Sequence, residues 1–129
     1  MSGEMNAALS HTLAAWELDP AIKCIILTGA GKGFCAGGDV KGMSESIKKD
    51  PSDVRKEFLL RIHDLHPIMF AMRRMPKPII ASCRGAAAGA GVSMALACDL
   101  VIAADDAFFT LAYCKIGTSP DGSSSFHLP

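Results

Sequence analysis

Twice in this chain an apolar run with no polar alternation empties directly into a glycine-rich loop, and that pattern limits the fold more than any other feature. The first run is Cys24–Thr28 (CIILT), followed by Gly29, Gly31, Gly33, Gly37 and Gly38 and closed by Asp39. The second is Ile79–Cys83 (IIASC), followed by Gly85, Gly89 and Gly91. A short apolar run of this kind reads as a strand covered on both faces, as in a parallel sheet. Glycine has no Cβ, so a loop rich in it lets backbone N–H groups come close to another backbone or to a ligand.

The segments between these runs read as helices. Leu9, Leu13 and Trp16 recur at near-helical spacing and predict a helix over Met5–Leu18, ended by Asp19-Pro20. Val40 to Val54 is polar and lysine-rich and predicts a short helix running into a mobile loop. Ser52-Asp53 is placed to cap a long helix from Val54 to about Met75, with Phe58, Ile62, Leu65, Met69 and Met72 on its apolar face and Pro67 a candidate kink. Ala86–Ala97 predicts a helix of small residues, Asp99–Ala103 a third strand, and Ala107–Thr110 a short one. Leu111 to Pro129 reads as loop. Strand, helix, strand, helix, strand predicts an α/β fold with parallel strands.

Composition excludes several classes. Thirteen basic residues balance thirteen acidic ones, so no excess positive charge is present to bind nucleic acid or an anionic membrane surface. The five cysteines are scattered without CxxC spacing, and Cys24, Cys83 and Cys98 lie in apolar runs, where cysteine behaves as a small hydrophobe. A reducing compartment, the bacterial cytoplasm or another, is expected, with no targeting signal and no disulfide framework. Ala86–Cys98 is uncharged but too short to span a bilayer. His11, His63, His66 and His127 lack metal-ligand spacing, so no metal site is expected. The methionines Met69, Met72, Met75 and Met94 read as core or pocket lining.

The first glycine loop satisfies neither generic phosphate motif. GxGxxG would need glycine where Phe34 stands, and in GxxxxGK[ST] the lysine would have to precede Ser or Thr, whereas Lys32 precedes Gly33. A turn alone explains the first loop equally well, and close helix–strand packing explains the small residues of the second. Together, however, two loops that each leave a parallel strand suggest two backbone donors converging on one site. That arrangement is an oxyanion hole, which polarises a carbonyl and stabilises an enolate.

The stretches FCAGGDVKGM and CRGAAAGAGVSMALACDLVIAA closely resemble the two signature segments of the crotonase (enoyl-CoA hydratase/isomerase) superfamily. MNAAL, PKPIIASCRG and the SPDG tail match as well, so the resemblance covers essentially all 129 residues. It implies a crotonase-like ββα-spiral core with parallel strands, here incomplete, and a partial acyl-CoA-binding domain over residues 1–129. It implies acyl-CoA thioester substrates, no permanently bound cofactor, and a homo-oligomer, either a trimer or a dimer of trimers. By position, the oxyanion donors would be the N–H groups of Gly38 and Ala90. Ala36, Asp39 and Lys32 would lie along the CoA and its pantetheine arm, with Lys41 a further candidate.

The same resemblance bears on the reaction. Family hydratases use two glutamates, and the matching positions here are Ser93 and Tyr113; no glutamate follows Glu57. Asp121, in Ser119-Pro120-Asp121-Gly122, matches the single carboxylate of some enoyl-CoA isomerases and of the ring isomerase of phenylacetate degradation. One base suffices to move a double bond. Asp121 is also explained as a turn residue, since Pro-Asp-Gly is a strong turn signal. The leading expectation is an enoyl-CoA isomerase. The alternatives are a hydratase with unusual acid–base residues and a non-catalytic CoA-binding or oligomerisation module. The family's chain is about twice as long, so this chain reads as truncated at both ends, with an unpaired strand edge near Cys24–Thr28.

Overall fold

The computed structural model describes residues 1–128. Its centre is β2 (Ile79–Cys83), which pairs in parallel with β1 (Ile25–Thr28) on one side and with β4 (Leu100–Ala103) on the other. Ile79 faces Ile25 across the first ladder, and Ile80 faces Leu100 across the second. A smaller parallel pair joins β3 (Ala86–Ala88), which follows β2, to β5 (Phe108–Thr110), which follows β4. All strand pairs are parallel, as the apolar runs predict.

Two helices close one side. α1 (Gly3–Leu18) and α3 (Pro51–Arg74) pack on each other, and α3 buries Leu65, Ile68, Met69 and Met72, a stripe stepping by three and four. The short α2 (Val40–Ser46) lies between them in sequence. α4 (Ala90–Ala97) carries no amphipathic pattern because nearly all of it is buried: Ala90 to Ala95 and Ala97 are inside. Ile68, Ile79 and Met94 are almost completely enclosed, and Met69, Met72 and Met75 join them in the core.

Several sequence expectations need correction. The first strand is not covered on both faces: Ile25 is buried, but Ile26 is 68% exposed, because no described element covers the face that Ile26 shares with Leu100 across the sheet. Cys24, read as a small hydrophobe in an apolar run, is exposed. The long helix begins at Pro51, not Val54, and its cap is Asp50, whose carboxylate accepts from the Ser52 amide at 2.9 Å. Proline at the first helical position then follows the usual N-terminal rule. Pro67 sits inside α3 without ending it. The alanines at 86–88 form a strand before the helix begins, since they are held between Cys35 and Phe108 rather than left to their helical preference. The tail is not a plain loop: Tyr113–Ile116 form a 3-10 turn and Ser124–His127 a short helix, α5.

Three polar side chains tie the loops to this frame. Asp99, just before β4, accepts from the Ile79 amide at 2.8 Å. Lys77 donates to the carbonyls of Trp16 and Asp19, fastening the end of α1. Arg84 reaches across to the first glycine loop, donating to the carbonyls of Gly29 at 2.6 Å and Gly31 at 2.9 Å and to Thr28 Oγ1 at 3.3 Å. No described helix is long and apolar enough to cross a membrane.

Candidate active site

The two glycine loops meet. Cys35 enters the smaller sheet beside β3: its amide donates to Ala86 O at 3.1 Å, and its carbonyl accepts from the Ala88 amide at 2.8 Å. This pairing requires glycines where the backbones touch. Gly37 has φ +92°, and a Cβ there would stand 2.7 Å from Ala88 O and 3.4 Å from the Ala90 nitrogen. Gly91 is tighter still, with Cys35 O at 2.2 Å from its would-be Cβ. The loops therefore bring Gly38 beside the first residue of α4.

Both residues line one cavity of about 1010 Å³, large for a small-molecule site. The amide nitrogens of Gly38 and Ala90 donate no hydrogen bond among the described residues. For Ala90 this follows from its place at the start of α4, where helical N–H groups have no partner within the helix. Ala36, Asp39 and Asp121 line the same cavity. Lys32 and Lys41 do not; both are exposed outside its wall. Asp39 has a structural task as well: its carboxylate caps α2, accepting from the Gly42 amide at 3.0 Å.

The tail brings a third component. Asp121 turns the chain, with its carbonyl accepting from the Ser124 amide and hydroxyl, so its turn role is real. Its side chain does something more. Tyr113 Oη donates to Asp121 Oδ1 at 2.7 Å, and Ser93 Oγ lies 3.0 Å from Tyr113 Oη and 2.9 Å from the Asp121 carbonyl oxygen. Ser93 is wholly buried on α4, and Tyr113 is 7% exposed. Burial pushes the Tyr113 hydroxyl above its ordinary pKa; the Ser93 hydrogen bond opposes this and the Asp121 carboxylate adds to it. Sequence reasoning treated positions 93 and 113 only as places where glutamate is absent. No local signal joins them to Asp121, because the contact depends on the tail folding back over α4. The one hint is Gly122: at φ +56°, a Cβ there would meet Ser93 Cβ at 2.7 Å.

The sequence profile of the enoyl-CoA hydratase/isomerase family matches residues 1–129. The chain belongs to that family. It is 39% identical over 127 residues to a 1,2-epoxyphenylacetyl-CoA isomerase from Escherichia coli K12, an alignment covering 98% of this chain and 47% of that protein. It is 36% identical over 129 residues to 4-chlorobenzoyl coenzyme A dehalogenase-1 from an Arthrobacter species, covering 99% of this chain and 45% of the other. The crystal structure of an enoyl-CoA hydratase from Polaromonas sp. JS666 superposes with a TM-score of 0.85 at 42% identity, covering 95% of this chain and 46% of that one. The crotonase fold expected from the signature segments is thus present, and the chain spans about half the length of these relatives. These relatives are named as an isomerase, a dehalogenase and a hydratase, so membership of the family does not by itself fix the reaction.

Proposed function

We propose that the chain belongs to an acyl-CoA double-bond isomerase. The thioester oxygen is held by the N–H groups of Gly38 and Ala90. Asp121 removes a proton from the carbon next to the thioester of a 3-enoyl-CoA. The electron pair left behind spreads over the double bond and the thioester as a dienolate, its negative charge resting on the oxygen between the two amides. Asp121 then returns the same proton two carbons away, and the double bond moves into conjugation. No permanent cofactor is needed, because nothing is oxidised or reduced. The acyl-CoA thioester runs past Ala36 and Asp39, with Lys32 and Lys41 reaching toward the CoA phosphates from outside the cavity.

The observation that supports this reading is the donor set of a single cavity: two acceptor-free amides from two loops and one carboxylate, with hydroxyl side chains at both positions where family hydratases carry glutamate. A second reading, hydration by unusual acid–base residues, is favoured by the likeness to the Polaromonas hydratase. The bare apolar strand β4, with Leu100 59% and Ile102 62% exposed, supports assembly into a homo-oligomer such as a trimer, which light scattering checks.

The protein is incubated with a 3-enoyl-CoA and, separately, a 2-enoyl-CoA, and conjugation and hydration are followed by absorbance beside an Asp121→Asn variant. Conjugation that disappears in the variant is expected. Isomerisation that survives the substitution removes Asp121 from the mechanism, hydration alone replaces the isomerase reading with the second, and binding without turnover leaves a non-catalytic acyl-CoA module.

A further inference from the structure

We propose that Tyr113, locked by Ser93, is a positioning residue that holds Asp121 by one carboxylate oxygen and so leaves the other as the single proton carrier facing the cavity. The inference deepens the isomerase reading and rests on it for the identity of the proton that moves.

Proton counting fixes the direction of the network. Tyr113 has one hydroxyl proton, and it is given to Asp121 Oδ1 at 2.7 Å. In the 3.0 Å contact between Ser93 and Tyr113, the serine must then be the donor. Ser93 has one proton for two acceptors, Tyr113 Oη and the Asp121 carbonyl at 2.9 Å, so it binds the two ends of the same residue pair together. Asp121 Oδ2 has no hydrogen-bond partner among the described residues, while Asp121 lines the cavity.

The framework behind the clamp is rigid. Ser93 is enclosed within α4, Tyr113 is buried at the start of its 3-10 turn, and Gly122 is pressed against Ser93 so closely that no side chain fits. A carboxylate held only by its own backbone would rotate and offer either oxygen. With Oδ1 occupied by a buried donor, the substrate's proton has one place to go, and the same oxygen can give it back two carbons along. A carrier that must collect and deliver at two carbons gains from a fixed plane, since a displacement of about 1 Å costs about a hundredfold in rate. The two hydroxyls thus occupy the family's glutamate positions without carrying protons to substrate themselves.

Tyr113 is the one tyrosine of the chain, so tyrosinate absorbance in the ultraviolet follows its ionisation directly. In the unmodified protein it should titrate above ordinary tyrosine. Asp121→Asn should bring that titration down, because the neighbouring charge is gone, and Ser93→Ala should push it further up, because a donor to the phenolate is lost. In isomerisation assays, Tyr113→Phe should lose about ten- to a hundredfold in kcat with KM changed less than about threefold, and Ser93→Ala should show a smaller loss of the same kind. A Tyr113→Phe enzyme that keeps its kcat, or that changes KM alone, overturns the proposal. If Tyr113→Phe fails to fold, the titrations of Ser93→Ala and Asp121→Asn still decide it. An inactive unmodified protein whose tyrosine responds to Asp121→Asn would sink the isomerase reading and leave the clamp standing. An active one whose tyrosine ignores that substitution would sink the clamp alone.

Discussion

Gly37 lies against Ala88 so closely that a Cβ on the glycine would stand 2.7 Å from the alanine's carbonyl oxygen. Beside this contact the loop leaving β1 and the turn from β3 into α4, at Gly89 and Ala90, become two walls of one cavity. Neighbouring glycines are not equivalent in it. Gly37 needs both space and a φ of +92°, whereas a Cβ on Gly38 would meet only the flexible end of Met43, at 2.8 Å. Gly37→Ala should therefore lower stability by about 2–3 kcal/mol through strain and collision, and Gly38→Ala should leave the melting temperature nearly unchanged. Thermal melting of the two variants side by side checks the contrast; equal losses would mean that the loops do not pack as described.

Ala90 offers a way to delete one N–H without deleting a side chain. Proline is tolerated at the first position of a helix, where the N–H has no partner inside the helix. Ala90→Pro should preserve the far-ultraviolet circular dichroism and reduce kcat by about a hundred- to a thousandfold, the usual effect of removing one oxyanion donor. Full activity in a folded Ala90→Pro protein would show that this amide does not serve the reaction.

Arg84 fastens the first glycine loop by donating to Gly29 O, Gly31 O and Thr28 Oγ1. Lysine carries the charge but not the planar fork that reaches separate acceptors. Arg84→Lys should cost about 1–2 kcal/mol, as expected for losing hydrogen bonds from a charged donor. It should also speed amide hydrogen exchange over residues 29–35 while leaving α3 unaffected. Unchanged exchange in the loop would contradict the fastening role.

Cys98 predicts an alkaline limit to stability. Burial, aided by nearby Cys83 and Asp99, pushes its thiol up from 9.0 to about 12, and burial raises Cys83 as well. The folded protein therefore holds protons that the unfolded chain releases above about pH 9. The contribution is fully present below that pH and is lost as pH rises toward 12. The melting temperature should fall across this window, and Cys98→Ala should flatten the fall. A thiol reagent should label exposed Cys24 and Cys114 in the native protein well before Cys83 and Cys98.

Much of the frame was legible locally. The apolar runs at 24–28 and 79–83 predicted parallel strands, and of the five residues predicted on the apolar face of α3, Leu65, Met69 and Met72 are buried, whereas Phe58 is half-buried and Ile62 exposed. Those signals survive because they depend on residues within a few positions of one another. The failures have equally physical causes. Ala86–Ala88 have helical preference, yet a partner on each side makes them a strand. Ile26 is as apolar as Ile25, yet lies bare because successive residues of a strand point to opposite faces and no described element covers the face it shares with Leu100. Asp50 rather than Ser52 caps α3, a choice among adjacent capping residues that composition leaves open.

The candidate site divides along the same line. The family, the two glycine loops and one late carboxylate can each be read along the chain, because each is written in a contiguous stretch. That Gly38, Ala90 and Asp121 share a cavity, that Lys32 and Lys41 lie outside it, and that Ser93 and Tyr113 bond to Asp121 follows from the folding alone. Residues 93, 113 and 121 belong to a helix, a 3-10 turn and a loop, and no periodicity connects them. Their hydrogen bonds exist because Gly122 lets the tail close on α4 to within the distance of a hydroxyl proton, a condition set by packing in three dimensions.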